Sequence, residues 1–112
     1  MKRKEVVFVG SSLEDLRGYP KDVRADMGYQ IDRVQCGLDP TDWRPLAAVG
    51  SGVRELRVRG LNREYRGMYI TTIGDAVYVL HVFVKKSQKT PRKDMEIAKK
   101  RLSLVRRRDS SM

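Results

Sequence analysis

The nine residues Ala76 to Val84 (AVYVLHVFV) are apolar throughout except for His81. A run this short, rich in β-branched and aromatic residues and bounded by Gly74-Asp75 and Lys85-Lys86, is the pattern of a central strand covered on both faces. It is far shorter than the roughly 20 apolar residues that span a bilayer, so no transmembrane helix is expected. A strand of this kind needs two apolar layers, and the rest of the chain has to provide them.

Glu5 to Val9 (EVVFV) ends at Gly10 and reads as a first strand. Ser11-Ser12-Leu13-Glu14 fits a capping box, in which a serine hydroxyl accepts from the third helical N–H, and predicts a short helix from about Leu13 to Arg17. Pro20 suits the first turn of a second helix, where its missing N–H has no helical partner. There Val23, Met27, Ile31 and Val34 recur at steps of four, four and three as one apolar stripe, and Gly37 ends it. Leu38 to Gly52 reads as a loop anchored by Trp43 and Leu46. Val53 to Arg59 (VRELRVR) alternates, with Glu55, Arg57 and Arg59 on one side and Arg54, Leu56 and Val58 on the other. Tyr65 to Thr72 is the next strand, and the short turns on either side of it predict an antiparallel meander. Thr90 reads as an N-cap ahead of Pro91, opening a helix to about Val105 with Met95, Ala98, Leu102 and Val105 on its apolar stripe. The expected fold is α+β, a small twisted antiparallel β-sheet packed against an N-terminal helical hairpin and a C-terminal helix. It forms one domain over residues 1–105, followed by a basic, flexible tail over 106–112.

The charge is uneven. The chain has 112 residues, with 24 Lys and Arg against 14 Asp and Glu, a net of +10. Residues 1–83 hold 13 basic and 11 acidic side chains, whereas residues 84–112 hold 11 and 3, so +8 of the excess is C-terminal. Such asymmetry points to a polyanion, nucleic acid being the commonest in a cytosol, or to an acidic partner. One cysteine, Cys36, excludes an internal disulfide and a Cys-cluster metal site, and one histidine makes a His-based zinc site implausible. No metal and no cofactor are expected. Val6 to Val9 is too short for a signal-peptide core of about 7–15 apolar residues, which predicts a cytoplasmic protein.

Four segments carry a family resemblance: Val53-Arg54-Glu55-Leu56-Arg57, Tyr65-Arg66-Gly67-Met68-Tyr69, Val79 to Pro91 (VLHVFVKKSQKTP) and Ala98-Lys99-Lys100-Arg101. In this order and spacing the chain, from about Leu13 to Leu104, resembles the phage-derived, HigB-like branch of the RelE/ParE toxin superfamily. The resemblance implies the RelE-like fold and the toxin of a type II toxin–antitoxin pair, which in this branch cleaves mRNA on the translating ribosome. It implies as partners a HigA-like helix-turn-helix antitoxin, the ribosome and mRNA, with operator DNA reached only through the antitoxin, and no membrane. ParE-like relatives share the fold and poison DNA gyrase, so fold alone leaves that activity open, along with a non-catalytic basic module that binds RNA or a partner.

Metal-independent cleavage needs cations on the phosphate and groups that move two protons as the 2′-hydroxyl attacks. Arg57 and Arg66 lie in the motifs that supply active-site cations in RelE-like nucleases, and Lys86 matches a further catalytic cation by position. Solvated strand charges, or ion pairs with acids such as Glu55, are the alternative for the two arginines. Glu55 shares a face with Arg57, as general base or as the group that orients it. His81 is the remaining candidate for proton transfer. Strand alternation places it with Val77, Val79 and Phe83, away from Lys86, which favours a buried, hydrogen-bonded histidine. Lys85 and Lys89, with Lys99, Lys100 and Arg101, are expected to grip RNA. Between Thr90 and Arg101 there is no Tyr or His of the kind that some RelE-like nucleases use, and Met95 stands in that place.

Overall fold

The computed structural model of the chain describes residues 2–86 and 89–110. In order the elements are β1 (Glu5–Phe8), α1 (Ser12–Arg17), α2 (Lys21–Gln35), β2 (Trp43–Pro45), β3 (Arg54–Arg59), β4 (Glu64–Ile70), β5 (Ala76–Lys85) and α3 (Arg92–Ser110). Ser87 and Gln88, part of the Val79-to-Pro91 motif, lie outside the described residues, as do the terminal residues Ser111 and Met112. No helix among the described residues is long and apolar enough to cross a membrane.

Both layers that the apolar run requires are present. On one face Leu16 of α1 and the α2 stripe Val23, Met27, Ile31 and Val34 pack against Leu56, Val58, Tyr65, Val77 and Val79. On the other, Ala98, Leu102 and Val105 of α3 pack against Met68, Ile70, Leu80 and Phe83, with Leu46, Val49 and Val53 closing the side. Gly67 lets α2 approach closely, since a Cβ there would stand 3.3 Å from the Met27 sulfur. Gly37, at φ 83°, ends α2 with a bond from its N–H to the Val34 carbonyl and another from Leu38 N–H to Arg33, the paired pattern of a Schellman cap.

The sheet has five strands in the order β1-β5-β4-β3-β2. The meander β3-β4-β5 is as expected, but the sheet is mixed, because β1 pairs with β5 in parallel. The long excursion through both helices and three strands supplies the crossover that a parallel neighbour requires. β4 is therefore the middle strand, and it is buried on both faces as β5 is. Within the expected loop, Trp43–Pro45 forms a short edge strand on β3, with the Arg54 guanidinium 4.1 Å from the Trp43 ring.

Three local expectations are corrected. Ser11 precedes α1, but its hydroxyl donates to Asp15 at 2.8 Å and caps no helix N–H, so the capping box is absent. The register of β5 pairs Tyr69 with Val79 and Met68 with His81, which leaves Leu80 as a bulge. The extra residue reverses the alternation, so His81 and Phe83 lie on the α3 side with Leu80, opposite Val77 and Val79. α3 also extends past Val105 through Arg106–Arg108 to Ser110.

Met27 has no solvent exposure whereas Leu104, on α3, is 53 % exposed. Urea denaturation should therefore find Met27→Ala destabilised by about 2–5 kcal/mol and Leu104→Ala within about 0.5 kcal/mol of the parent. Equal effects would mean that the α2 face is not the core.

Candidate active site

Cross-strand register sets three rungs of side chains on the sheet face that α3 occupies: Arg44, Glu55, Met68 and His81; then Arg57, Arg66 and Phe83; then Arg59, Glu64 and Lys85. Met68 and Phe83 join the apolar packing under α3, and apart from His81 the rest of these rungs are arginine, lysine and glutamate.

Glu55 is fully buried and Arg66 is 2 % exposed. The Arg66 guanidinium donates through Nη1 to Glu55 Oε1 and through Nη2 to Glu64 Oε2, the latter at 2.8 Å. Glu55 Oε1 also accepts from Arg44 Nε at 3.1 Å, and Oε2 accepts from the Thr90 hydroxyl at 3.0 Å. Thr90 in turn accepts from Arg44 Nη2 at 2.7 Å. Thr90 thus closes a network instead of capping α3, in whose first turn the Asp94 and Met95 N–H groups donate to the Pro91 carbonyl. A buried carboxylate is tolerable only with such complete pairing. Both Glu55 oxygens are engaged, and Arg66 is held between two carboxylates.

Arg57 faces Arg66 directly across the β3–β4 ladder, an arrangement of like charges that is unfavourable in itself. Its side chain is 32 % exposed, and its Nε stands 3.5 Å from Asp42, close enough for attraction but without a hydrogen-bond partner. Lys85, at the end of β5, is held below its ordinary 10.5, mainly by burial and then by the Arg66 charge. Glu64 is held below its ordinary 4.5, first by the hydrogen bond from Arg66. Lys86 and Lys89 are exposed on either side of the undescribed pair. The structure therefore gathers Arg57, Arg66, Glu55 and Lys85 at one end of the sheet, with Lys86 and Lys89 beside it in sequence.

His81 belongs to a second cluster. It is 6 % exposed, stacked on Phe83 with ring centroids 5.5 Å apart, and its Nε2 lies 2.7 Å from Asp94 of α3. Arg101 Nη1 approaches the His81 Nδ1 at 3.4 Å and donates to the Leu80 carbonyl at 3.0 Å. Arginine only donates, so Nδ1 is the acceptor and the ring proton sits on Nε2, facing Asp94. Arg101 also reaches Ser12 and Ser11, at 3.3 and 3.0 Å. It is an internal clamp between α3, the β5 bulge and α1, where an RNA-facing cation was expected. Lys99 is exposed and 3.6 Å from Glu96, and Lys100 is exposed.

Residues 14–103 match the family model of the phage derived protein Gp49-like proteins. The chain belongs to the Gp49-like family. This is a toxin family of the RelE/ParE type, in which an antitoxin is the partner to be expected. No curated protein matches the chain. The match to the Gp49-like family begins within α1 and ends within α3, so it spans every residue of the charged network. Sequence reasoning missed Arg44, Glu64 and Asp94. Arg44 lies on a strand of three residues, too short to show alternation. Glu64 stands at a strand end, and the Asp94–His81 pair depends on the bulge.

Two measurements probe this network. Arg66→Ala should lose about 3–5 kcal/mol in urea unfolding, because it strands the Glu55 charge in the interior; a loss below about 1 kcal/mol would mean that Glu55 is reached by water. The Glu64 carboxylate titrates lower folded than unfolded, so its contribution is present above its ordinary 4.5 and is lost as pH falls through the lower folded value. Glu64→Gln should flatten the decline of the urea midpoint in that acid range, and an unchanged acid slope would contradict the pairing with Arg66.

Proposed function

We propose that this chain is a HigB-like toxin that cleaves mRNA on the translating ribosome in the cytoplasm. The observation that carries the reading is Arg57. It is part exposed, directly opposite a buried arginine that two carboxylates already hold, and its own ion pair, with the exposed Asp42 at 3.5 Å, is a long one. With Arg66 balanced by Glu55 and Glu64, the Arg57 guanidinium is the one of the pair left to take a phosphate, its planar fork matched to two phosphate oxygens.

In this reading Arg57 and Lys85, with Lys86, hold the scissile phosphate. Arg66 and Glu55 are positioning residues, because both are buried and paired with each other beneath the surface that RNA would meet. The 2′-oxygen bonds to phosphorus, the bond from phosphorus to the 5′-oxygen breaks, and one proton leaves the 2′-hydroxyl while another reaches the 5′-oxygen. In this reading Glu64, part exposed, accepts the first. Lys85, which releases its proton more readily than an ordinary lysine, supplies the second. Cationic side chains carry the developing charge, so the step as written requires no metal. His81 keeps α3 on the sheet through Asp94. The partner is a HigA-like helix-turn-helix antitoxin whose acidic surface covers Arg57 and Lys85 and which carries the pair to operator DNA.

Induced expression followed by primer extension on total RNA tests this. Growth arrest with new 5′ ends at codon-phased positions is expected, and Arg57→Gln should reduce cleavage about 100-fold, the scale for one lost transition-state donor. DNA breaks without new RNA ends would replace the reading with a ParE-like gyrase poison. Cleavage unchanged in both Arg57→Gln and Lys85→Gln would remove the site assignment.

A further inference from the structure

Arg59 and Glu64 face each other at the end of the β3–β4 ladder. Opposite charges in that relation ordinarily pair across the strands, yet the Glu64 carboxylate is turned to the buried Arg66, which donates to it at 2.8 Å. The Arg59 side chain is exposed and forms no hydrogen bond or ion pair with another described residue. It stands two residues beyond Arg57 on β3. Strand alternation therefore sets both guanidinium groups on the face that α3 occupies, about 6.6 Å apart along the strand at roughly 3.3 Å per residue. Lys85 lies on the same rung as Arg59, on the far side of Glu64.

We propose that Arg59 holds the phosphate next to the scissile one, so that single-stranded RNA runs along β3 from Arg57 toward the β3–β4 turn. The inference rests on the RNA-cleaving reading and names a second phosphate subsite for it. Two cations that repeat along one side of a strand suit a chain whose negative charges also repeat, and contacts of this kind fix the register of a nucleic acid without reading its bases. Arg66 does not compete for either phosphate, because Glu55 and Glu64 balance it beneath the surface. An acidic protein surface would also be drawn to Arg59, but the centre of a protein interface is apolar and poor in charge. Among the described residues of the two rungs that carry Arg57 and Arg59, the apolar one is Phe83, and it is buried. The exposed Leu61 of the turn lines a groove with Tyr19 and Val84, which belong to the opposite face.

The test is fluorescence anisotropy of the full chain with a labelled 2′-O-methyl RNA oligonucleotide, which lacks the attacking hydroxyl. Arg59→Gln should weaken binding and lower the slope of log affinity against log salt by about 0.7, the value for one phosphate on a single strand. Arg24→Gln removes an exposed charge of the same kind from α2, on the other side of the sheet, and should leave the slope at the parent value. Both side chains are exposed, and unchanged melting of the variants checks that they fold. If Arg59→Gln keeps the parent slope, the subsite is wrong and the cleavage reading stands. An equal fall in both variants would mean that RNA responds to net charge alone, and would also overturn the subsite. If Arg59→Gln binds RNA as the parent does and loses affinity for an antitoxin instead, Arg59 is a protein contact and the proposal is overturned. If the parent binds no RNA, the phosphate site at Arg57 fails together with the one at Arg59.

Discussion

Glu55 has no contact with solvent, and an ionised carboxylate in that position costs several kcal/mol unless every oxygen is matched by a donor. The donors come from three places. Arg44 lies on the edge strand, Arg66 on the middle strand, and Thr90 in the segment that leads into α3. Satisfying one carboxylate therefore fixes the edge of the sheet and the start of the last helix together. It also explains why three residues as short as Trp43–Pro45 hold a defined register. Burial of this pair is weak evidence for net stability, since an apolar pair of similar volume often does as well. What it provides is a rigid frame in which Arg57 is left facing a guanidinium whose own charge is already balanced.

A second polar assembly works on the same face. The bulge at Leu80 turns His81 toward α3, and Asp94 and Arg101 then hold the ring from two sides. Thr90 and Asp94 are four residues apart, so the beginning of α3 is fastened once to each assembly, while Ala98, Leu102 and Val105 fasten the remainder by apolar contact. The open, cationic end of the sheet is thus bordered by elements that hydrogen bonds and apolar contacts tie together. Such preorganisation is what electrostatic stabilisation of a phosphate requires.

Much of this was legible in the residues. The α2 stripe, the α3 stripe, the sidedness of Glu55 and Arg57, and the doubly covered β5 all follow from periods that the sequence displays. The parallel pairing of β1 does not, because short turns determine only neighbours in the meander, and EVVF carries no mark of its partner. The bulge is equally silent, since a run of nine residues that is apolar but for His81 reads the same with or without a change of phase. Arg101 looked like surface charge because it stands beside two lysines, and only the fold shows the Leu80 carbonyl and two serines within its reach. Thr90 before proline is a sound capping signal that a buried carboxylate outcompeted. The motifs drew attention to both arginines, but they carry no information on which of the two is already neutralised.

The central claim is that Arg57 meets phosphate while Arg66 only holds the frame. Nitrogen-resolved NMR of the arginine Nε–H groups, during titration with an uncleavable 2′-O-methyl RNA, tests it most directly. The Arg57 resonance is expected to move with saturation while that of Arg66 stays in place. Movement of Arg66 in step with Arg57, or of Arg66 alone, would contradict it.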